Sequence, residues 1–358
     1  MTRIRTAIAV AALFCATTAF AQTPAPGAPE LEILADQVTQ ALLVNDASRL
    51  PLAKDFRYTE NGSPLEIGDG MWRTLSAYAG LDPRIAPASA PLKFRFDVVD
   101  RQARQILAYR AIDENGTSGV LVLRLKVKNG LISEMEAITI HQELLDPRGG
   151  TVTLLQPRLL EMLDPAKLGA IDPVFAAPAP ADRASLIAAA NAYLDGQVAN
   201  SSARIPFSAD CVRRDNGNPT TGDPDAAPLD PEVPSYKPFS LGCARQIDSG
   251  LYRYIARVRD RRFLVDEQRG LVAAIDLMDV PGTLHEIDIP GTGRVRYPGP
   301  DAAHSTADDT AQFNDFAAAN LRVPSSMLAI HLFKIVDGKI VRMEDFERGA
   351  HLGFEAGW

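Results

Sequence analysis

Residues 58–64 read YTENGSP, and residues 213–219 read RRDNGNP. Both stretches contain an acid followed by Asn, Gly, one variable residue and Pro. The acids, Glu60 and Asp215, are 155 positions apart. Each stretch follows a segment whose apolar residues recur with helical spacing, from Leu31 to Leu42 in the first copy and from Leu186 to Leu194 in the second. The chain therefore reads as two copies of one structural unit.

Two later matches occur in the same order in both copies. The tetrapeptide at 99–102 (VDRQ) corresponds to that at 265–268 (VDEQ), and each precedes an apolar strand. Each copy then contains a predicted β-hairpin, with Asn129-Gly130 as the turn in the first and Asp337-Gly338 in the second. Both turn positions favour positive φ, which makes these dipeptides the strongest short-range signal for a hairpin. The pattern predicts an α+β fold in which helices pack on one face of a curved antiparallel sheet.

The predicted organisation follows from composition along the chain. Residues 1–21 have a positive start, a short apolar stretch and an Ala-Phe-Ala end, which is typical of a cleaved signal peptide; an uncleaved anchor is the alternative. The expected boundaries are a linker at 22–29, a first domain at 30–171, a Pro-rich linker at 172–181 and a second domain at 182–358 with an insertion at 281–324.

Export changes the interpretation of the cysteines. Cys15 lies in the signal segment, which leaves Cys211 and Cys243 as a pair in an oxidising compartment. We expect them to form a disulfide in a periplasmic or secreted protein, and two free buried thiols are the alternative. The formal charge of −8, without a basic block, excludes nucleic acid as an expected partner. No segment after the signal is long and apolar enough to predict a membrane span.

The order of elements, ending in a strand–DGKI–strand hairpin with an acid just beyond it, resembles the nuclear-transport-factor-2-like superfamily. This superfamily includes ketosteroid isomerase, scytalone dehydratase, limonene epoxide hydrolase and the SnoaL-like polyketide cyclases. The phrases YTENGSPLEIGDGMW and RDRRFLVDEQRGLV resemble a tandem family of secreted proteins known as a domain of unknown function. The resemblance implies two cone-shaped domains, each with a pocket between the sheet and the helices.

The second hairpin supplies the main catalytic candidates. With Asp337-Gly338 as a two-residue turn, a regular register places His331 opposite Glu344 in an apolar setting. A carboxylate beside an imidazole raises its pKa and orients the ring, so this pair is a candidate for acid–base catalysis. Asp215 is the third catalytic candidate, and Arg261 is expected to position an anionic ligand group. The alternative is a half-exposed cross-strand ion pair without a catalytic role.

The first copy lacks the histidine and offers other polar residues. Tyr58 and Asn61 resemble the water-holding Tyr and Asn of epoxide hydrolases, but Ile112 stands where Arg110 would need an acidic partner. In the second copy Asp276 and Asp345 fit the two acids of that relay, and Ala274 replaces its arginine. The Asn-Gly pairs also have a purely structural interpretation as turns. The expected substrate-binding residues are Tyr58, Glu60, Asn61, Trp72, Arg110, Asn216, Arg261 and Asp276.

The remaining histidines, His141, His285, His304 and His351, are isolated in sequence, so no metal site and no cofactor are expected. We expect an exported protein that binds a small apolar, oxygenated molecule. If it is an enzyme, it would carry out cofactor-free lyase, isomerase, dehydratase or cyclase chemistry. The alternative is a non-catalytic ligand-binding or assembly module of the cell envelope. The tandem repeat also predicts an intramolecular pseudo-dimer, or a homo-oligomer.

Overall fold

The computed structural model describes residues 30–78, 96–115, 117–141, 144–145, 151–152, 172–222, 240–289, 293–296 and 324–357. The predicted signal peptide, the 22–29 linker and most of the 281–324 insertion lie outside these residues. The described chain is mixed α+β, as predicted, and contains two large sheets. The exact domain boundaries and the cone shape of the two units stay predictions.

The N-terminal sheet curls into a half-barrel. Its strand order is β2-β1-β7-β6-β5-β3, and β4 pairs with the free part of β5. The elements of this half are α1 (Leu31–Leu43), β1 (Leu52–Glu60), β2 (Ser63–Leu65), α2 (Met71–Thr74), β3 (Leu75–Tyr78), β4 (Phe96–Asp100), β5 (Gln105–Glu114), β6 (Thr117–Lys128), β7 (Leu131–His141), β8 (Leu144–Leu145) and β9 (Thr151–Val152).

The C-terminal sheet repeats this order as β11-β10-β17-β16-β13-β12. A disulfide joins Cys211 in β10 to Cys243 at the start of α5, as predicted. The elements are α3 (Asp172–Ala176), α4 (Arg183–Ala199), β10 (Phe207–Asp215), β11 (Asn218–Pro219), α5 (Cys243–Asp248), β12 (Arg257–Asp266), β13 (Leu271–Val280), β14 (Glu286–Ile289), β15 (Gly293–Arg296), β16 (Ser325–Val336) and β17 (Lys339–His351).

Both sheets contain one parallel pair, which corrects the expectation of fully antiparallel sheets. β1 runs parallel to β7, and β10 runs parallel to β17. The turn motifs of the sequence mark only strands joined by hairpins, and such strands are antiparallel. β1 and β10 instead follow a helix, and each lies beside the last strand of its own large sheet.

Among the described residues, three apolar cores hold the fold together. The first lies between α1 and the N-terminal sheet, and the second lies between α4, α5 and the C-terminal sheet. The third contains residues of both sheets, among them Tyr109 and Ile138 from the first and Ile275 and Phe346 from the second. The two sheets therefore pack on each other through their outer faces, as in a β-sandwich. No helix in the described residues is long and apolar enough to cross a membrane.

Candidate functional site

A β-bulge decides which residue faces His331 across the second hairpin. Val336 pairs with Lys339 and Ile335 with Ile340, but Lys334 pairs with Arg342, so Val341 is the extra residue. The register then shifts by one, and His331 faces Asp345 instead of Glu344. The expected His331–Glu344 pair is therefore wrong, because a one-residue slip reverses the face of every side chain beyond it.

Glu344 lies on the opposite face of β17, where it is opposite Leu332 and buried between the two sheets. Its Oε1 is 3.8 Å from Nη1 of Arg214. The first hairpin has an equivalent bulge, with Ser133 as the extra residue opposite Lys126 and Val127, and this bulge turns Glu136 in the same direction.

His331 lies between two acids in the interior of the C-terminal half. Its Nδ1 is 2.9 Å from Oδ1 of Asp345, and its Nε2 is 3.6 Å from Oδ2 of Asp276. All three side chains are inaccessible to solvent. The Tyr193 ring packs against the imidazole in a T-shaped arrangement, with ring centroids 5.7 Å apart. Asp276 and Asp345 thus lie on either side of His331, each facing one nitrogen of the imidazole.

Arg213 completes the cluster and was not identified from the sequence. Its Nε donates to Asp345 Oδ2 at 2.7 Å, and its Nη2 lies 2.8 Å from Asp215 Oδ1. Its Nη1 donates to Tyr252 Oη and to Gln246 Oε1, the latter at 3.3 Å. The repeat itself was the sequence signal that could have identified Arg213. Arg213 occupies the position in β10 that Tyr58 occupies in β1, on a part of the strand that faces inward.

The charges of the cluster shift the pKa values of its members. Burial alone would lower the pKa of His331, but the carboxylates of Asp345 and Asp276 outweigh burial and raise it well above its usual value. Burial would raise the pKa of Asp345, but His331 and Arg213 lower it. Burial is also the main cause of the raised pKa of Asp215, of Asp276 and of Glu347. The cluster therefore combines one acid whose pKa is lowered with three acids whose pKa values are raised.

Three side chains of the same cluster are of the kinds that can bind a metal ion. Ligand atoms of His331, Asp345 and Glu347 lie within 4.8 Å of one another. The guanidinium of Arg213 pairs with both Asp345 and Asp215. One of these three potential ligands, Asp345, is thus already paired with a guanidinium, and the residues fit proton exchange better than metal binding.

The polar candidates of the first half do not form an equivalent cluster. The carboxylate of Glu60 accepts from Tyr58 Oη at 2.9 Å and from the backbone N–H of Met71 at 2.7 Å. Met71 begins α2, so Glu60 stabilises the N-terminus of that helix. Trp72 is buried in the apolar core beneath.

Arg110 is fully buried and pairs with two acids, which the sequence comparison did not identify. Its Nη1 is 2.8 Å from Oδ1 of Asp97 in β4, and its Nη2 is 3.3 Å from Oδ1 of Asp36 in α1. Arg261 likewise binds a helix, with Nη1 2.9 Å from Asn191 Oδ1 and 2.8 Å from Asp195 Oδ1 in α4. These contacts connect elements of the fold.

Asn61 and Asn216 have the structural role that the turn interpretation predicted. Both have positive φ, 50° and 46°. The side chain of Asn61 accepts from the backbone N–H of Thr139 at 2.8 Å, and that of Asn216 accepts from the backbone N–H of Glu347 at 2.9 Å. Each amide therefore connects the turn after the first strand to the last strand of the same large sheet.

Comparison with known proteins assigns no activity. Residues 179–346 match the family model of a domain of unknown function, DUF8021. The matched segment includes Arg213, Asp215, Asp276, His331 and Asp345. No curated protein and no solved structure matches the chain.

Proposed function

We propose that the C-terminal half carries out cofactor-free acid–base chemistry on a small, largely apolar, oxygenated molecule. The supporting observation is the position of buried His331 between the carboxylates of Asp345 and Asp276, at 2.9 and 3.6 Å. A buried imidazole with two acids and an arginine is an expensive arrangement for a structural core. Perturbed titratable groups of this kind are concentrated at functional sites.

The residues of the cluster suggest separate roles. Asp215 is the most exposed of the acids bound by Arg213, with 18% of its side chain accessible. It would touch the substrate and deliver a proton as a carboxylic acid. Asp345 and Asp276 would hold the proton of His331, and Arg213, which pairs with both Asp215 and Asp345, would connect the imidazole to the substrate-facing acid. The step would be an isomerisation, dehydration, lyase or cyclisation reaction in which only protons move between protein and substrate.

The compartment belongs to the same proposal. The disulfide between Cys211 and Cys243 supports an oxidising environment, since disulfides persist mainly in exported proteins. Together with the signal-like residues 1–21, it favours a periplasmic or secreted protein.

A second candidate function is a non-catalytic ligand-binding or assembly module. The observation that favours it is the apolar contact between the two sheets. This contact would make the chain an intramolecular pseudo-dimer, in which the charged cluster only specifies how β10, β13, β16 and β17 pack.

Deuterium exchange can test the catalytic proposal without knowledge of the natural substrate. The probes are a panel of cyclic ketones and enones in D₂O, and NMR follows exchange at the carbon next to the carbonyl. We expect the wild-type protein to accelerate exchange of at least one probe, and Asp215→Asn to lose most of that acceleration. His331→Gln is the second variant, with its folding checked by thermal melting.

Asp210→Asn is the matched control, because Asp210 is an exposed acid on the same strand, β10. It should retain wild-type exchange. Equal exchange rates for wild type and Asp215→Asn across the panel would contradict the proposal and favour the assembly role.

A further inference from the structure

A second acid–base pair lies at the end of the N-terminal sheet opposite the Asn129-Gly130 turn. His141 ends β7 and Glu114 ends β5, and Nε2 of His141 is 2.7 Å from Oε2 of Glu114. The two side chains are 22% and 15% exposed, so solvent reaches both of them. The two residues are 27 positions apart in the chain, and the pairing of β5, β6 and β7 brings them together.

Neighbouring groups hold Glu114 in place as an ionised carboxylate. The hydroxyl of Thr74, at the end of α2, donates to Oε1 of Glu114. The hydrogen bonds from His141 and Thr74, together with the positive charge of Arg348, lower the pKa of this carboxyl against the effect of burial. Each carboxylate oxygen therefore accepts one hydrogen bond, and the orientation of the His141 ring is fixed by one of them.

This hydrogen bond determines which imidazole nitrogen is free. An ionised carboxylate only accepts, so Nε2 of His141 carries the hydrogen and Nδ1 carries the lone pair. Nδ1 has no hydrogen-bond partner among the described residues. Gly119 lies opposite His141 in β6, and a Cβ at this position would lie 2.7 Å from the carbonyl oxygen of Ile140 and 3.2 Å from Cδ2 of His141. The glycine therefore leaves the space that the imidazole occupies.

Arg348 reaches this site from the C-terminal half. Its Nη1 donates to the backbone carbonyl of Thr139 in β7 at 3.1 Å, and its Nε and Nη2 have no partner within the part of the chain that the structure describes. Burial lowers the pKa of Arg348, and the nearby carboxylates of Glu60 and Glu114 offset part of that effect. Two carboxylates and one guanidinium leave no surplus of positive charge, so the site favours an uncharged substrate over an anion.

We propose that this pair forms a second catalytic site that hydrolyses an uncharged carboxylic ester, with His141 as the general base and Glu114 as the residue that orients it. An imidazole with a free, accessible nitrogen can activate water near neutral pH. Among uncharged acyl compounds, esters have a leaving group that departs more readily than that of an amide. The site lies in the other half from the His331 cluster and does not depend on the reaction proposed there.

The proposed step is a simple hydrolysis. Nδ1 of His141 takes one proton from a water molecule while the water oxygen bonds to the carbonyl carbon. The positive charge of Arg348 favours the negative charge that develops on the carbonyl oxygen. When the bond from carbon to the leaving oxygen breaks, the imidazolium returns the proton to that oxygen. The products are a carboxylic acid and an alcohol, and His141 is again in its starting form.

Hydrolysis of p-nitrophenyl acetate by the full chain tests the site, with the release of p-nitrophenol followed by absorbance. We expect saturable hydrolysis above the buffer rate. His141→Gln should lower kcat/KM by at least about a hundredfold, because the general base is lost. Glu114→Gln can still accept the hydrogen bond but lacks the charge, so it should lower kcat by at least about tenfold and leave KM unchanged. Thermal melting of each variant checks that it is folded.

His285→Gln is the matched control, because His285 is an exposed histidine without a carboxylate partner among the described residues. Any exposed imidazole can cleave an activated ester slowly, and this control measures that background. It should retain wild-type kinetics. The proposal is overturned if hydrolysis does not saturate, if His141→Gln and His285→Gln are equally active, or if Glu114→Gln keeps the wild-type kcat. These outcomes leave the exchange test of Asp215 unaffected, so the two proposals fail independently.

Discussion

His331 and Asp345 face each other across β16 and β17, with Nδ1 and Oδ1 2.9 Å apart and both side chains buried. The bulge at Val341 creates this relationship, and Arg213 supports it from β10 by donating to the other oxygen of the same carboxylate at 2.7 Å. One carboxylate therefore connects an imidazole and a guanidinium inside an apolar core, which leads to measurable consequences.

Asp345→Asn should lower the pKa of His331, because burial would then be opposed only by Asp276. The unfolding free energy should fall by about 3–5 kcal/mol, the range for breaking a buried ion pair. NMR of the imidazole nitrogens and urea denaturation measure the two effects. Asp337→Asn is the control, because Asp337 lies at the exposed hairpin turn with φ of 49°, which Asn also tolerates. An unchanged titration of His331 in Asp345→Asn would disprove the pairing.

Stability should decrease as the pH rises above neutral. In the unfolded chain His331 loses its proton around its ordinary value of 6.5, while the folded state retains the proton to well above that pH. The native state therefore binds more protons in this interval, and the unfolding free energy falls with increasing pH. The raised pKa values of Asp215 and Asp276 also make the unfolding free energy fall with increasing pH, from about pH 3.8 upwards. Urea denaturation at about pH 6 and about pH 8.5 measures this slope, and a flat or rising profile would contradict it.

Arg262→Gln should weaken the contact between the sheets, because Arg262 binds Glu136 across that contact. We expect the unfolding free energy to fall by about 3 kcal/mol. This value is at the low end of the range for a broken buried ion pair, because Arg124 still pairs with Glu136 in the variant. Arg57→Gln, which removes an exposed ion pair with Glu134, should cost less than about 1 kcal/mol. Equal losses for the two variants would contradict the inter-sheet role.

The contribution of the Arg262–Glu136 pair should also depend on pH. Arg262 and Arg124 lower the pKa of Glu136 against the effect of burial. The stability that the pair contributes is therefore present above pH 4.5, the ordinary pKa of a glutamate, and is lost as the pH falls.

Reduction of the Cys211–Cys243 disulfide should cost about 3–4 kcal/mol of unfolding free energy, because it closes a loop with a sequence separation of 32. Urea denaturation with and without a phosphine reductant gives the difference. Cys243 begins α5, which carries Gln246, and Cys211 lies two residues before Arg213. Reduction should therefore also alter the NMR titration of His331. If both quantities are unchanged, the disulfide has no role in holding the cluster.

Asn216→Ala should destabilise the protein more than Asn129→Ala. Both residues have positive φ, 46° and 54°, where Ala costs about 1–2 kcal/mol. Only Asn216 also fastens the turn to the last strand, through two hydrogen bonds with the backbone of Glu347. At about 1 kcal/mol for each bond, we expect an additional loss of about 2 kcal/mol in Asn216→Ala. Thermal and urea denaturation of the two variants measure this difference, and equal losses would show that the amide contacts contribute nothing.

The amino-acid sequence alone determined the features that depend on neighbouring residues. The Asn129-Gly130 and Asp337-Gly338 turns predicted both hairpins, because positive φ is a local preference. The spacing of apolar residues predicted α1 and α4, and the pairing of Cys211 with Cys243 followed from cysteine count and compartment. The repeated acid-Asn-Gly motif predicted that the two sheets would follow one plan.

Only the tertiary structure decided which polar residues meet. The bulge at Val341 adds one residue to a strand whose side chains alternate with a period of two, and it replaced Glu344 by Asp345 opposite His331. No local signal marks that residue as the extra one. Arg213 reaches the cluster because β10 lies parallel to β17, a contact between residues more than a hundred positions apart. Long-range strand pairing depends on how whole sheets and helices bury their apolar faces, so a local sequence pattern cannot specify it.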